Sequence, residues 1–202
     1  MRTRLIRLIA SWILVGIGVP LLVRSQLGAS PFDVLNTGVS EQTGWSFGTC
    51  FIVNSLLLFA AGRLLGARLG PACILGTIAI GPIIDLTLSF VPETELLALR
   101  IPYLILGIPV IGLAICLVVS TELGPGPTEV VMLGLVHRGV GIVPARWISD
   151  GLPVLVGTAL GGAIGIGTAL FVITMGPIVK FGLRRLRFEP SGHALEAAAA
   201  GF

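Results

Sequence analysis

The stretch "LGASPFD", residues Leu27 to Asp33, directly follows the first long apolar run of the chain. Ser30 is a favoured helix N-cap, and Pro31 suits the first position of a helix. Asp33 then places a negative charge near the positive end of the helix dipole. The stretch therefore predicts a new helix that begins at Pro31.

This new helix is too short to cross a membrane. Gly44 predicts that it ends at about Gln42, because glycine readily adopts the backbone conformation that terminates helices. About a dozen residues at 1.5 Å each reach roughly 18 Å, whereas a hydrocarbon core is about 30 Å thick.

A second stretch, "LGPGPTE", follows a later apolar run in the same way, and its Leu, Gly, Pro and acid stand 96 positions after those of the first. It predicts another short helix that begins at Pro127 and ends near Gly139. Two placements are open for this pair. They are amphipathic helices at the membrane surface, or re-entrant half-helices that enter from opposite faces.

Composition places the chain in the membrane. Of 202 residues, 54% are hydrophobic and only 11% are charged, and the mean hydropathy is +1.01. So little polar surface cannot cover a soluble globule of this size. The basic residues stand in short groups between apolar runs, which excludes a nucleic-acid surface. Cys50, Cys73 and Cys116 are far apart in apolar sequence, which indicates packing roles.

Six apolar runs are candidate transmembrane helices, since about 20 residues span the core. The first follows three arginines but has no signal-peptidase site, so we retain it as a span. The runs are about Ile6 to Val23, Phe47 to Leu64, Gly70 to Val91, Ile101 to Ser120, Ala145 to Leu160, and Gly165 to Leu183.

Basic residues predict the orientation. With the amino end in the cytoplasm, all 13 Lys and Arg except Arg24 and Arg100 fall on the cytoplasmic side. Lys and Arg accumulate there in membrane proteins. We therefore expect a multi-pass protein with both termini cytoplasmic.

Matched glycines and prolines indicate an internal repeat, because these residues constrain the backbone more than matched leucines do. Each unit contains three spans, so the second unit must enter the membrane from the opposite side. We expect an all-α membrane protein of two inverted three-helix repeats, about 6–91 and 101–183, in one domain of residues 1–188 with a mobile cytoplasmic tail at 189–202. The matches are Gly16 with Gly112, Gly28 with Gly124, Gly38 with Gly134, Gly62 with Gly157, Gly66 with Gly161, Gly70 with Gly165, and Gly81-Pro82 with Gly176-Pro177.

The candidate substrate site combines helix starts and mid-span breaks. Backbone N–H groups after Ser30 and Gly126 suit an anionic or carbonyl-bearing solute. Asp33 and Glu129 would then act as gates or carry a coupling proton, or they serve only as helix-start residues. Near the inner end of a span, Arg146 and Asp150 are placed to pair. The full candidate set is Ser30, Pro31, Asp33, Gly126, Pro127, Glu129, Gly81, Pro82, Gly176 and Pro177.

These motifs, together with "IGPIID" and "MGPIVK", resemble the bacterial YczE/YitT-type family of small multispanning membrane proteins over nearly all of the chain. The sequence departs from the family pattern at two places. Glu129 stands where Asp is commoner, and Ala72-Cys73 stands where Gly-Thr is common, a pair kept here as Gly167-Thr168. The resemblance implies a bacterial inner-membrane location and no established substrate.

The sequence favours a transporter over an enzyme. It has no H-E-x-x-H, G-x-S-x-G or P-loop motif, and its only histidines are His137 and His193. We expect no catalytic residues, metal or cofactor, with the lipid bilayer and a small solute as partners; the oligomeric state is not indicated. An inverted repeat with broken helices favours solute transport. The alternative is an accessory or scaffold membrane protein that supports a partner's assembly or export.

Overall fold

The computed structural model describes residues 2–186, and every regular element in this part of the chain is an α-helix. The all-α prediction is confirmed for these residues, whereas the expected tail at 189–202 lies outside them. The helices are α1 (Arg2–Ser25), α2 (Pro31–Thr43), α3 (Phe47–Leu64), α4 (Pro71–Phe90), α5 (Leu97–Val119), α6 (Pro127–His137), α7 (Ile142–Ala159) and α8 (Ile166–Arg185).

The short helices α2 and α6 begin where the sequence predicts. The Ser30 side chain accepts a hydrogen bond from the backbone N–H of Asp33 at 3.3 Å and so caps α2. At the other end, Gly44 adopts a φ of 71° and donates its N–H to the Ser40 carbonyl at 2.9 Å. In α6 the first residue is Pro127, and the helix ends at His137, slightly before the predicted end at Gly139.

Five helices in residues 2–186 are long and apolar enough to cross a membrane, namely α1, α3, α4, α5 and α8. The predicted span from Ala145 to Leu160 corresponds to α7, which does not meet this criterion. Arg146 and Asp150, with Pro144 and Pro153, lower the apolar character of α7. The prediction of six spans therefore exceeds what length and composition support in the structure.

The helices pack around a central pair. Helix α1 lies along α5, while α4 packs against α1 and α8 packs against α5. The short helices are covered by the other half of the chain, since α2 packs on α7 and α6 packs on α3. Apolar side chains fill the space around the central pair, and the largest buried cluster contains Val19, Leu22, Phe47, Phe51, Ile80, Ile84, Leu104, Ile108, Ile111 and Phe171.

Close backbone approaches occur in matched pairs. A Cβ atom added to Gly38 would lie 3.0 Å from the Cβ of Leu160, and one added to Gly134 would lie 2.6 Å from the Cβ of Leu65. Each contact joins the same two repeat positions, taken from opposite halves. Positive φ angles are matched as well, at Gln26 and Glu122, Gly28 and Gly124, Gly44 and Gly139, and Gly66 and Gly161.

Candidate functional site

A chain of hydrogen-bonded polar side chains is buried between α2 and α3. The Ser30 hydroxyl donates to one carboxylate oxygen of Asp33 at 2.5 Å. The Asn36 amide donates to the other oxygen at 3.3 Å, and the Asn54 amide donates to the Asn36 oxygen at 2.9 Å. We call these four residues the Asp33 cluster.

Helix geometry explains why three members of this cluster meet. Ser30, Asp33 and Asn36 are spaced three residues apart at the start of α2, so their side chains lie on one face. Asn54 reaches them from α3, which packs against α2. The cluster thus depends on one local pattern and one contact between helices.

Asp33 is a buried carboxyl that bonds to neutral side chains. Only 2% of the residue is exposed, and no ion pair involves it among the described residues. Helix α2 is not one of the five apolar spans. Burial raises the pKa of Asp33 from 3.8 to about 6, while the hydrogen bonds from Ser30 and Asn36 oppose this rise. The side chain can therefore change its protonation state near neutral pH.

Ser55 follows Asn54 on α3 and is completely buried. Its hydroxyl has no hydrogen-bond partner among residues 2–186. A buried hydroxyl that lacks a partner costs about 1–3 kcal/mol, so such groups are uncommon without a role.

The other half of the chain contains an ionic cluster at the contact of α6 and α7. The Arg146 Nε lies 2.6 Å from Asp150 Oδ2, which confirms the predicted pair. A further guanidinium nitrogen, Nη1, lies 3.4 Å from Glu129 Oε1. Thr128 donates its hydroxyl to Glu129 Oε2 at 3.4 Å. We call Glu129, Arg146 and Asp150 the Glu129 cluster.

The two clusters occupy matched positions but differ in charge. Asp33 corresponds to Glu129, and Ser55 corresponds to Asp150 one repeat later. Arg146, however, corresponds to Phe51, an apolar residue of α3. One half therefore holds an acid among neutral groups, and the other holds two acids around an arginine.

The amino end of α2 is buried and that of α6 is at least half-buried, whereas the carboxyl ends of both short helices are exposed. Pro31 and Asp33 are buried, whereas Glu41, Gln42 and Thr43 are exposed. In α6, Pro127 and Gly126 are half-buried and Thr128 is buried, whereas His137 is exposed. The amino end of each short helix is thus covered by protein to a greater extent than its carboxyl end.

The Gly-Pro pairs that the sequence predicts to bend α4 and α8 are not part of the Asp33 cluster or the Glu129 cluster. Gly81 is buried where α4 approaches α3, and a Cβ added there would lie 2.8 Å from the Gly48 carbonyl. Pro82 and Pro177 are exposed, and Gly176 is half-buried. The two prolines thus lie on outward surfaces of α4 and α8, apart from the Asp33 and Glu129 clusters.

A cavity of about 480 Å³ opens at a different place, beside the turn between α3 and α4. Its lining residues are Arg63, Gly66, Arg68, Leu69 and His137, and none of them was a predicted site residue. Within residues 2–186, no group of three or more His, Cys, Asp or Glu side chains is arranged to hold a metal ion.

Sequence reasoning missed Asn36 and Asn54. Asn36 is three residues after Asp33, and Asn54 interrupts an otherwise apolar run, so both signals were present. The hydrogen bond between Asn54 and Asn36 depends on the packing of α2 against α3, which the repeated motifs do not predict. Arg146 was predicted to pair with Asp150, and its contact with Glu129 was likewise missed for want of the α6 to α7 contact.

Comparison with known proteins places the chain among bacterial relatives. It is 31% identical over 169 residues to an uncharacterized protein of Haemophilus influenzae, covering 83% of this chain and 78% of the relative. It is 28% identical over 180 residues to the uncharacterized membrane protein YczE of Bacillus subtilis, covering 86% and 82%. It is 30% identical over 176 residues to the uncharacterized protein YyaS of the same organism, covering 83% and 86%.

No solved structure matches the chain. The resemblance to YczE-type proteins is confirmed, and with the apolar helices it identifies an integral membrane protein. The model of a family of unknown function, DUF6198, matches residues 2–184. The chain therefore belongs to the DUF6198 family.

Proposed function

We propose that this protein is a small-solute transporter of the bacterial inner membrane, with its polar site at the contact between two inverted repeats. The observation that carries the proposal is the Asp33 carboxyl, which is 2% exposed and hydrogen-bonded to neutral side chains. Ionisable groups in the interior of membrane proteins are costly and commonly mark substrate or proton pathways. Asp33 is the candidate carrier of a coupling proton.

Reciprocal packing supports the inverted repeat. Helix α2 lies on α7 and α6 lies on α3, so each half covers the short helix of the other. Exchange of equivalent contacts between two units is the signature of a two-fold relation. With three spans in each unit, that axis would lie in the membrane plane.

This architecture requires α7 to be the sixth span. Its 18 residues reach about 27 Å, close to the thickness of the hydrocarbon core. Its charged residues are paired, since Arg146 contacts both Asp150 and Glu129. Pairing lowers the cost of placing these charges within the membrane. An even number of spans would put both termini on one side, and the distribution of basic residues predicts that this side is the cytoplasm.

Site residues follow from this arrangement. Ser30, Pro31 and Asp33 supply one short-helix start, and Gly126, Pro127 and Glu129 supply the other. Since Ser30 and the Asp33 carboxylate occupy the first turn of α2, that helix end suits a hydrogen-bonding solute better than a second anion. Gly81-Pro82 and Gly176-Pro177 would contribute by allowing α4 and α8 to bend.

Solute-driven proton movement in vesicles tests the proposal. The purified protein is reconstituted into vesicles that contain a pH-sensitive dye, and neutral amino acids, small carboxylates and small amines are added in turn. We expect at least one solute class to change the internal pH. The Asp33→Asn and Glu129→Gln double variant should lose this response at normal protein yield, and Asp33→Asn alone should uncouple proton movement from solute.

Glu95→Gln is the matched control, because Glu95 is an exposed carboxyl in the segment between α4 and α5. It should transport like the parent. A double variant that transports like the parent would refute a role for Asp33 and Glu129. Absence of proton movement and of radiolabelled solute uptake throughout the panel would favour the scaffold alternative, in which defects follow the assembly of a partner complex.

A further inference from the structure

The cavity beside the α3 to α4 turn is strongly basic. Arg63 and Arg68 line it together with His137, and no acidic residue is among its lining residues. Its volume is about 480 Å³, and it is open to the surroundings, since all of its lining residues except Leu69 are exposed. The turn joins two of the apolar spans, so the cavity lies near a membrane surface.

Arg63 and Arg68 are available to an incoming anion. Both are exposed, and neither forms an ion pair in the part of the chain described here. The carbonyl groups at the end of α3 already have a cation, because Arg138 donates to the Leu64 carbonyl at 2.9 Å and to the Leu65 carbonyl at 3.4 Å. The other two guanidinium groups are thus not needed to satisfy the helix end.

The turn between α3 and α4 is in close contact with the ring of His137. Gly66 has a φ of 102°, and a Cβ added there would lie 2.5 Å from Cδ2 of His137. Glycine therefore serves both the backbone conformation and the close approach of the imidazole ring. This contact brings the end of α6 against the arginine-bearing turn.

The matched turn in the other half shows that the fold does not require these charges. There, Thr158 stands in place of Arg63, Ala163 in place of Arg68, and Glu41 in place of His137. Gly161 keeps the positive φ of Gly66, at 88°. The same turn thus occurs with Arg63, Arg68 and His137 in one half and without any basic residue at the matched positions of the other half.

We propose that the basic cavity binds a phosphate group, with Arg63 and Arg68 as its charge partners and His137 as a further hydrogen-bond donor. Guanidinium groups bind phosphate oxygens through paired N–H donors. Basic pockets at the ends of membrane helices are suited to phospholipid headgroups. The same chemistry would hold free phosphate, and the two sources are separable by experiment.

Native mass spectrometry in a neutral detergent tests this site, with phosphatidylglycerol, phosphatidylcholine and inorganic phosphate as probes. We expect phosphatidylglycerol to bind about tenfold more tightly than phosphatidylcholine. The Arg63→Thr and Arg68→Ala double variant, which adopts the residues of the matched turn, should lose this preference. Displacement of the lipid by inorganic phosphate would indicate that phosphate alone is sufficient, and retention would indicate that the whole headgroup is recognised.

The charge-matched control is Arg184→Ala with Arg185→Ala, since both residues are exposed in the last turn of α8. It removes the same charge and should keep the preference. His137→Glu gives a second test through repulsion of phosphate, and it should weaken binding by a similar factor. The site would be disproved if the cavity variants bind phosphatidylglycerol like the parent, or if the α8 control loses binding equally.

Discussion

Asp33 and Glu129 are matched residues whose surroundings give them different properties. Arg146 lies 3.4 Å from Glu129, while Asp33 has only Ser30 and Asn36 as side-chain partners in the described hydrogen bonds. Glu129 thus has a positive charge beside it, whereas Asp33 is buried without a cation, and this burial raises its pKa. The two acids are therefore suited to different tasks despite their common position.

Stability should fall as pH rises through the titration of Asp33. Its folded-state pKa is about 6 against 3.8 for the ordinary carboxyl, so the folded protein binds this proton more tightly than the unfolded chain does. The stabilisation is fully present at low pH and is lost as pH rises through about 6, with a total near 3 kcal/mol. Asp33→Asn should remove this dependence.

Thermal unfolding in one detergent, followed from about pH 4 to about pH 8, measures this dependence of stability on pH. The difference between the Asp33→Asn variant and the parent should increasingly favour the variant as pH rises from about 4 through about 6, and it should then level off. Glu41→Gln, which changes an exposed carboxyl of the same helix, should follow the parent. Parallel curves for parent and Asp33→Asn would show that the proton on Asp33 is not linked to folding.

Single residues were predictable where their role is local. Ser30, Pro31 and Gly44 act within one turn of their own helix, and the sequence predicted all three roles. Asn54 acts through a neighbour that is 18 residues distant, and that partnership required the packing of two helices. The same distinction explains why the Arg146 to Asp150 pair was predicted and the contact with Glu129 was not.

At the scale of elements, α7 presents two contrasting glycines. A Cβ added to Gly157 would lie 2.5 Å from the backbone nitrogen of Leu35 in α2 and from the Val34 carbonyl carbon. Gly151 is exposed, and a Cβ added there would have no neighbour within 4 Å. The first glycine permits the α2 to α7 contact, and the second is free to change.

Gly157→Ala should therefore destabilise the protein by about 1–3 kcal/mol, because two backbones must separate to admit the methyl group. Gly151→Ala on the same helix should be neutral or stabilising by up to about 1 kcal/mol, because alanine favours helix. Unfolding in denaturant reports both values. Equal effects of the two substitutions would mean that α2 does not pack closely on α7.

The length of an element was predictable more reliably than its environment. Both short helices follow from Pro starts and Gly ends, which act locally. The environment of α7 was harder to predict, because its Arg146 is paired with Glu129 of α6 and average apolarity does not measure such pairing. Sequence alone likewise did not predict that Pro31 is buried while the carboxyl end of α2 is exposed.

For the whole molecule, the distribution of basic residues predicts which loops face the cytoplasm. A Cys introduced at Thr3 should react with a membrane-impermeant maleimide only after cells are opened, and one at Glu95 should react in intact spheroplasts. The native Cys50, Cys73 and Cys116 are buried and should give little background. Labelling of Thr3→Cys from outside would contradict the cytoplasmic amino end.

The membrane class was predictable from the composition of the chain, but the cavity was not. Matched glycines indicated two similar units, and their contacts in the structure recur at the same repeat positions. The basic cavity instead arises from a difference between the units, Arg63 and Arg68 against Thr158 and Ala163. A search for residues shared by the two halves does not identify a cavity whose lining residues differ between them.

The packing of α2 against α7 can form only after both helices have been synthesised. Pro31–Thr43 leaves the ribosome about a hundred residues before Ile142–Ala159, a delay of roughly 5–20 s at bacterial to eukaryotic elongation rates. During that interval the Asp33 carboxyl has its capping serine and Asn36 from its own helix, but not its final cover. The burial of α2 against α7 is therefore completed only after the second half of the chain has been synthesised.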